Sequence, residues 1–178
     1  MIQENASVNI EELIEQIGKG DTSKLEKLYE NTSTAIFGYA LSMLKNKSDA
    51  EDIVHDCFLK IYASSINYKK QGKPLAWILT ITRNLCLEKL RKGSKEANIE
   101  IEDWMLVDSK DLSHEERIAL RESMLILNEE ERQIVYLHAV AGLKHREISQ
   151  VMNIGLGTVL SKYNRAIKKL RIVLEKGE

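Results

Sequence analysis

Pro74 is the only proline in the 178-residue sequence, and nine glycines are the only company it has as a strong helix breaker. Proline removes a backbone donor and clashes with the preceding turn, while glycine loses the most entropy on ordering, so a chain this poor in both can run long helices with little interruption. The remainder, 43% hydrophobic and 30% charged, is a foldable mixture rather than a disordered one and is rich in Leu and Ile. The predicted fold class is therefore all-α, which makes sheet enzymes a poor fit.

Capping boxes mark where helices begin, because a short polar side chain and a carboxylate three residues on satisfy each other's free backbone N–H groups. Asn9 with Glu12, Ser48 with Glu51, Ser113 with Glu116 and Asn128 with Glu131 predict helices near 10–18, 49–63, 114–127 and 129–141. A further helix is expected from about 22 to 45, after Gly18, Gly20 and Asp21, and Pro74 opens one that reaches roughly Arg91. Within 49–63, the spacing of Ile53, Val54, Cys57, Phe58 and Ile61 makes one apolar stripe, leaving Asp49, Glu51, Asp52, His55, Asp56 and Lys60 outside it. The stripe is read as core.

The two cysteines, Cys57 and Cys86, form no CxxC and sit inside apolar helical patterns, so they are read as buried small side chains. The start MIQENASVNI lacks a basic-then-apolar signal, and the longest apolar stretch, around 134–143, contains His138 and is too short to span a bilayer, so the expected location is cytoplasmic. His55, His114, His138 and His145 do not converge with the cysteines in sequence. No metal, no cofactor, no small-molecule substrate and no catalytic residue are expected.

Charge is distributed unevenly although the net value is only -1. Residues 69–93 carry seven basic and one acidic side chain, and residues 132–178 carry nine basic and three acidic. Between them, residues 94–116 hold two basic and eight acidic groups, and within this span 94–113 has no sustained period and reads as a linker or a weakly docked segment. Two basic islands separated by an acidic spacer suit two polyanion-binding units, since local potential rather than net charge steers association. About 20 extended residues reach roughly 60 Å, more than one turn of B-DNA.

In the second island, a helix at 129–141 ends at Gly142, a short one near 144–152 ends in the turn Asn153-Ile154-Gly155, and a long basic helix follows. Two helices joined by a short turn containing glycine describe a helix-turn-helix. Ile148, Val151, Ile154, Val159 and Ile167 are placed to fill the angle between them. Thr158, Ser161, Lys162, Asn164, Arg165, Lys168 and Lys169 would face outward, and these are side chains that contact phosphates and base edges in a major groove. An ordinary amphipathic hairpin has a similar pattern.

Residues 129–171 resemble region 4 of the bacterial sigma-70 family, and DAEDIVHDCFLKIY at 49–62 with KPLAWILTITRNLCLEKLRK at 73–92 resembles its region 2. The reduced layout is similar to that of the extracytoplasmic-function (ECF, group IV) members. The resemblance implies two small helical domains: region 2 over 1–93, an acidic linker over 94–112 and region 4 over 113–178. It implies docking of Asp49, Glu51, Asp52, His55 and Asp56 on the β' clamp of core RNA polymerase, with the β flap as a second contact. His55 and Asp56 stand where the family commonly has Gln and Glu.

The same resemblance assigns capture of the single-stranded -10 element to Tyr68, Lys69, Lys70, Lys73 and Trp77, with Asn84, Lys89, Arg91 and Lys92 holding phosphates. Cations follow the backbone while an aromatic face takes an unstacked base, so melting needs no ATP. Trp77 heads the apolar run AWILTI and is also read as a core residue. For the -35 element the base-reading positions fall on Leu160, Ser161, Asn164 and Arg165, with Thr158, Lys162 and Lys168 nearer phosphates. Leu160 stands where a basic residue is common, which suits a thymine methyl. The implied partners are core RNA polymerase, promoter DNA and an anti-sigma factor, in many members membrane-bound. A two-domain helix-turn-helix regulator that works without polymerase is the alternative reading.

Overall fold

The computed structural model describes residues 8–93 and 124–176. In chain order the helices are α1 (Ile10–Gly18), α2 (Lys24–Leu44), α3 (Lys47–Ser65), α4 (Pro74–Arg91), α5 (Glu129–Val135), α6 (His145–Met152) and α7 (Leu156–Lys176). A single π-helical turn, Tyr136–Val140, continues α5. No strand occurs among the described residues, in agreement with the all-α expectation.

Local chemistry sets most boundaries where the sequence predicts them. The Asn9 side chain accepts from Glu12 N–H at 3.3 Å to start α1. Pro74 opens α4 at the first helical position. Asn128 and Glu131 close both arms of a capping box on α5, at 2.9 and 3.1 Å. The exception is α3: its cap is Asn46, which accepts from Asp49 N–H at 3.0 Å, rather than Ser48. Asn46 holds the extended backbone a cap requires, so the helix starts two residues early. The Ser113 cap, the linker and Trp104 lie outside the described residues.

The first unit packs α2, α3 and α4 together, with α1 across α2 and α3. Ile14, Leu28, Ile36, Tyr39, Ile53, Ile61, Ile78 and Leu79 are essentially removed from water, and the predicted stripe of α3 is part of this core. At roughly 1.5 to 3 kcal/mol for each large side chain buried, this core is the main stabilising term. Both cysteines are buried and free, as read. Burial pushes the Cys57 thiol up to about 11 and the Cys86 thiol up to about 12, so neither is a thiolate at neutral pH.

The second unit, α5 to α7, does not stand apart. Ile134, Tyr136, Leu137, Leu143, Ile148, Val151, Met152 and Val159 belong to the same buried cluster as the first unit's core. The seam lies where α5 and its π turn meet α2 and where α6 meets α4. The Tyr136 ring covers Gly38, where a β-carbon would collide with the ring's hydroxyl end. The Tyr136 hydroxyl donates to Ala35 O at 3.3 Å, and the buried Tyr39 hydroxyl donates to Gln133 Oε1 at 3.4 Å. Lys45 and Glu129 form an ion pair at 3.4 Å on the rim.

Candidate nucleic-acid interface

Three surfaces emerge from this scaffold. The first is the connection between α3 and α4. Asn67, Tyr68, Lys69, Gln71, Lys73 and Trp77 line an open cleft of about 230 Å³. Tyr68 meets Trp77 edge to face, 4.8 Å between ring centres, and both rings are half-buried against the core. Trp77 thus packs against the core with one side, as read, and lines the cleft with the other. Gly72 turns the loop at φ +68°, a conformation that other residues adopt only with strain.

The cations around this cleft differ in availability. Lys69 is exposed and Lys73 half-buried, while Lys70 pairs with Glu15 at 2.5 Å. Asn84, Arg91 and Lys92 are exposed along α4, with Lys92 held by Glu88 at 2.6 Å. Lys89 departs from the phosphate role expected of it: it is held between Asp49 and Asp52, 2.9 Å from each. Its ammonium is matched within the protein.

The second surface is α7. Asn153 stands in the left-handed conformation at φ 53°, and the Ser149 hydroxyl donates to Ile154 O at 2.6 Å, which fixes the predicted turn. Behind it Ile148, Val151 and Val159 are buried and Ile154 is half-buried, as the sequence reading placed them. Ile167 is half-buried. Thr158, Leu160, Ser161, Asn164, Arg165 and Lys168 are all exposed along one side of the helix. Two cations expected to face outward are paired within the protein: Lys162 turns back onto Glu130 at 2.5 Å with its side chain 19% exposed, and Lys169, still 42% exposed, reaches the buried Glu131 at 2.7 Å. Burial pushes Glu131 upward, but Lys169 and the Asn128 amide outweigh it and hold the carboxyl below its usual range.

The third surface is the outer side of α2 and α3. Glu51, Asp52, His55 and Asp56 are exposed there, whereas Asp49 lies under Lys89 with its side chain 8% exposed. Asp49 therefore serves the α3 to α4 contact rather than an outward one. Beside the acidic row the sequence reading missed an apolar groove of about 430 Å³. Tyr29, Leu59 and Tyr62 leave 50%, 57% and 49% of their surface in water along it. Large apolar groups clustered in the open in this way mark contact surfaces. The available signal was the placement of Tyr29 with Leu59 and Tyr62, and it needs knowledge of which helices pair.

A basic aromatic cleft and a helix-turn-helix, on a scaffold that is helical among the described residues, are the features of a DNA-recognition protein. The family model for Sigma-70 region 2 matches residues 28–96, and that for Sigma-70, region 4 matches residues 117–170, together more than half the chain. The ECF RNA polymerase sigma factor SigK of Mycobacterium ulcerans is 26% identical over 95% of each chain, and SigW of Bacillus subtilis is 24% identical over 91% of this chain and 95% of its own. The chain belongs to the sigma-70 family, as an ECF-type sigma factor, the proteins that bind core RNA polymerase and direct promoter-specific initiation.

Two solved structures share the fold. The sigma factor RpoE in complex with the anti-sigma factor NepR from Bartonella quintana superposes with a TM-score of 0.66 at 21% identity, covering 84% of this chain and 96% of that one. CnrH in complex with the cytosolic domain of CnrY gives 0.67 at 19%, covering 94% and 98%. No helix among the described residues is long and apolar enough to cross a membrane.

Proposed function

We propose that this chain initiates transcription by dividing the promoter between its two ends. The cleft of Tyr68, Lys69, Lys73 and Trp77 takes unstacked bases of the -10 strand, with Asn84, Arg91 and Lys92 along its phosphates. Thr158, Leu160, Ser161, Asn164, Arg165 and Lys168 read the -35 duplex. Glu51, Asp52, His55 and Asp56, joined by the groove at Tyr29, Leu59 and Tyr62, dock on the β' clamp. The observation that carries this reading is the cleft itself: cations beside two crossed aromatic rings around a space of about 230 Å³ suit a flipped base and the phosphates that flank it.

Size decides what must happen between the two ends. A compact body of this chain length is about 40 Å across. From -35 to -10, at 3.4 Å per base pair, the duplex extends for about 80 Å. The closed arrangement with Tyr136 over Gly38 cannot meet both elements, so the domains read as 1–93 and 113–178 separate at that seam on promoter binding. The work is cytoplasmic, where core polymerase is.

The complexes of RpoE with NepR and of CnrH with the cytosolic domain of CnrY favour an anti-sigma factor as the keeper of this chain too. Core RNA polymerase mixed with the purified chain should give run-off transcripts from a cognate promoter that neither component gives alone. Tight operator binding by the chain as a symmetric dimer, with no transcript on adding core, would instead establish the polymerase-independent regulator.

A further inference from the structure

The loop that lines the cleft is tied to α1 by one carboxylate. Glu11 Oε1 accepts from the Tyr68 hydroxyl at 3.0 Å, from Gln71 N–H at 2.9 Å and from Gly72 N–H at 3.0 Å. All three donors lie 57 to 61 residues further along the chain, and all belong to the α3 to α4 connection. Four residues along α1, Glu15 pairs with Lys70 of the same loop. The consecutive N–H groups of Gln71 and Gly72 form an anion-binding concavity of the kind that holds phosphates elsewhere, and the protein's own carboxylate fills it.

That arrangement fixes what the loop presents. With its backbone donors turned inward, the loop keeps Tyr68 edge-on to Trp77 and leaves Lys69 and Lys73 at the mouth of the cleft. Hydrogen bonds from Gly72, Tyr68 and Gln71, together with the Lys70 charge, outweigh the cost of burial and hold the Glu11 carboxyl below its usual range. A free loop would lose entropy on closing around a strand, whereas a loop already held in shape has less to lose.

We infer that Glu11 is a positioning residue for single-strand capture, its carboxylate setting the shape of the 67–73 loop before DNA arrives. This rests on the reading of the cleft given under the proposed function. The neighbouring Glu12 supplies the control, since it has the same place near the helix start but its carboxylate accepts from Gln16 of α1, at 3.3 Å, rather than from the loop.

The test uses holoenzyme assembled from core RNA polymerase and the full chain. Single strands are enriched from a randomised DNA pool by the unmodified holoenzyme, and the enriched strand is the probe. Losing an ionised acceptor shared by three donors should weaken probe binding by roughly tenfold in Glu11→Ala. Glu11→Gln, which keeps an oxygen acceptor, should recover part of the loss, Glu12→Ala should bind like the parent, and affinity for duplex should stay unchanged in all three. In the free chain carrying Trp104→Phe, where Trp77 is the sole tryptophan, its emission should become more open to acrylamide quenching in Glu11→Ala alone, which a general loss of stability would not select.

Normal probe binding by Glu11→Ala, while Lys69→Ala and Lys73→Ala weaken it, would overturn the inference and leave the cleft reading standing. An equal loss in Glu12→Ala, or no recovery by Gln, would also overturn it by assigning the effect to helix charge. Failure to enrich any strand, or indifference of Lys69→Ala and Lys73→Ala, would remove the cleft reading and the inference with it.

Discussion

The two surfaces proposed to read DNA are held in shape by opposite means. The loop between α3 and α4 owes its form to a few polar ties, with Tyr68, Gln71 and Gly72 converging on Glu11. The row on α7 owes its form to the helix itself, backed by Val159 and Ala166, both fully buried, and by Ile148 behind them. A single strand has no fixed geometry, so its reader must be shaped point by point. A duplex offers a regular groove, and a regular helix laid against apolar packing is enough to meet it. Polar ties fail one at a time, whereas apolar packing weakens in proportion to what is removed.

The largest expected effect breaks the packed side of that contrast. Ile148 is completely buried, so Ile148→Ala should cost about 2 to 5 kcal/mol, read as an earlier urea midpoint, with duplex binding lost while the cleft keeps its single strand. Gly38→Ala places a methyl against the Tyr136 ring, an overpacking of about 1 to 3 kcal/mol at the seam. Small-angle scattering should then show a larger radius of gyration with unchanged helicity, and an unchanged radius would mean that the seam does not hold the units together.

Arg165 sharpens the helical side. Exposed on the reading row, it should cost about 1 to 3 kcal/mol at one -35 base when changed to Ala, whereas equal losses on all duplexes would reassign it to phosphate. A gentler shift should come from acid. The His145 ring lies tilted against that of His138, 4.3 Å between centres, with Tyr163 edge-on to both, and burial followed by the charge of His138 holds the His145 imidazole below its usual range. The folded state therefore favours the neutral ring. Its contribution is complete above about 6.5 and declines as the pH falls below that, so the thermal midpoint should drop on acidification, and His145→Gln should flatten the drop. The smallest effect belongs to Lys162. Because its ammonium already faces Glu130, Lys162→Ala should change duplex affinity by less than about 0.5 kcal/mol and leave the salt slope nearly unaltered.

Much of the scaffold is legible from residues that act on their own neighbours. Asn9, Pro74 and Asn128 each satisfy or omit a backbone donor within three or four positions, and the helices begin at them. The misread start of α3 comes from two adjacent candidates, Asn46 and Ser48, between which only the backbone conformation decides. Exposure of the candidate residues is legible where side chains point outward along a helix, as for Ser161, Asn164 and Arg165 on α7, and illegible where a charge has a distant partner. Nothing near Glu11 in sequence announces Gly72, nothing near Lys162 announces Glu130, and Asp49 looks like an outward acid because Lys89 lies 40 positions away. The groove at Tyr29 was unreadable for a similar reason, since exposure depends on which neighbour fails to cover a residue.

The covering of Gly38 by Tyr136 has a thermodynamic consequence beyond packing. Both sides of that contact are on one polypeptide, so they meet at an effective concentration on the order of millimolar, and even a feeble attraction between them keeps most molecules shut. If polymerase accepts only the parted form, the apparent dissociation constant is the intrinsic one divided by the small open fraction. A substitution at Gly38 would then tighten assembly with polymerase without touching a single atom of the docking face.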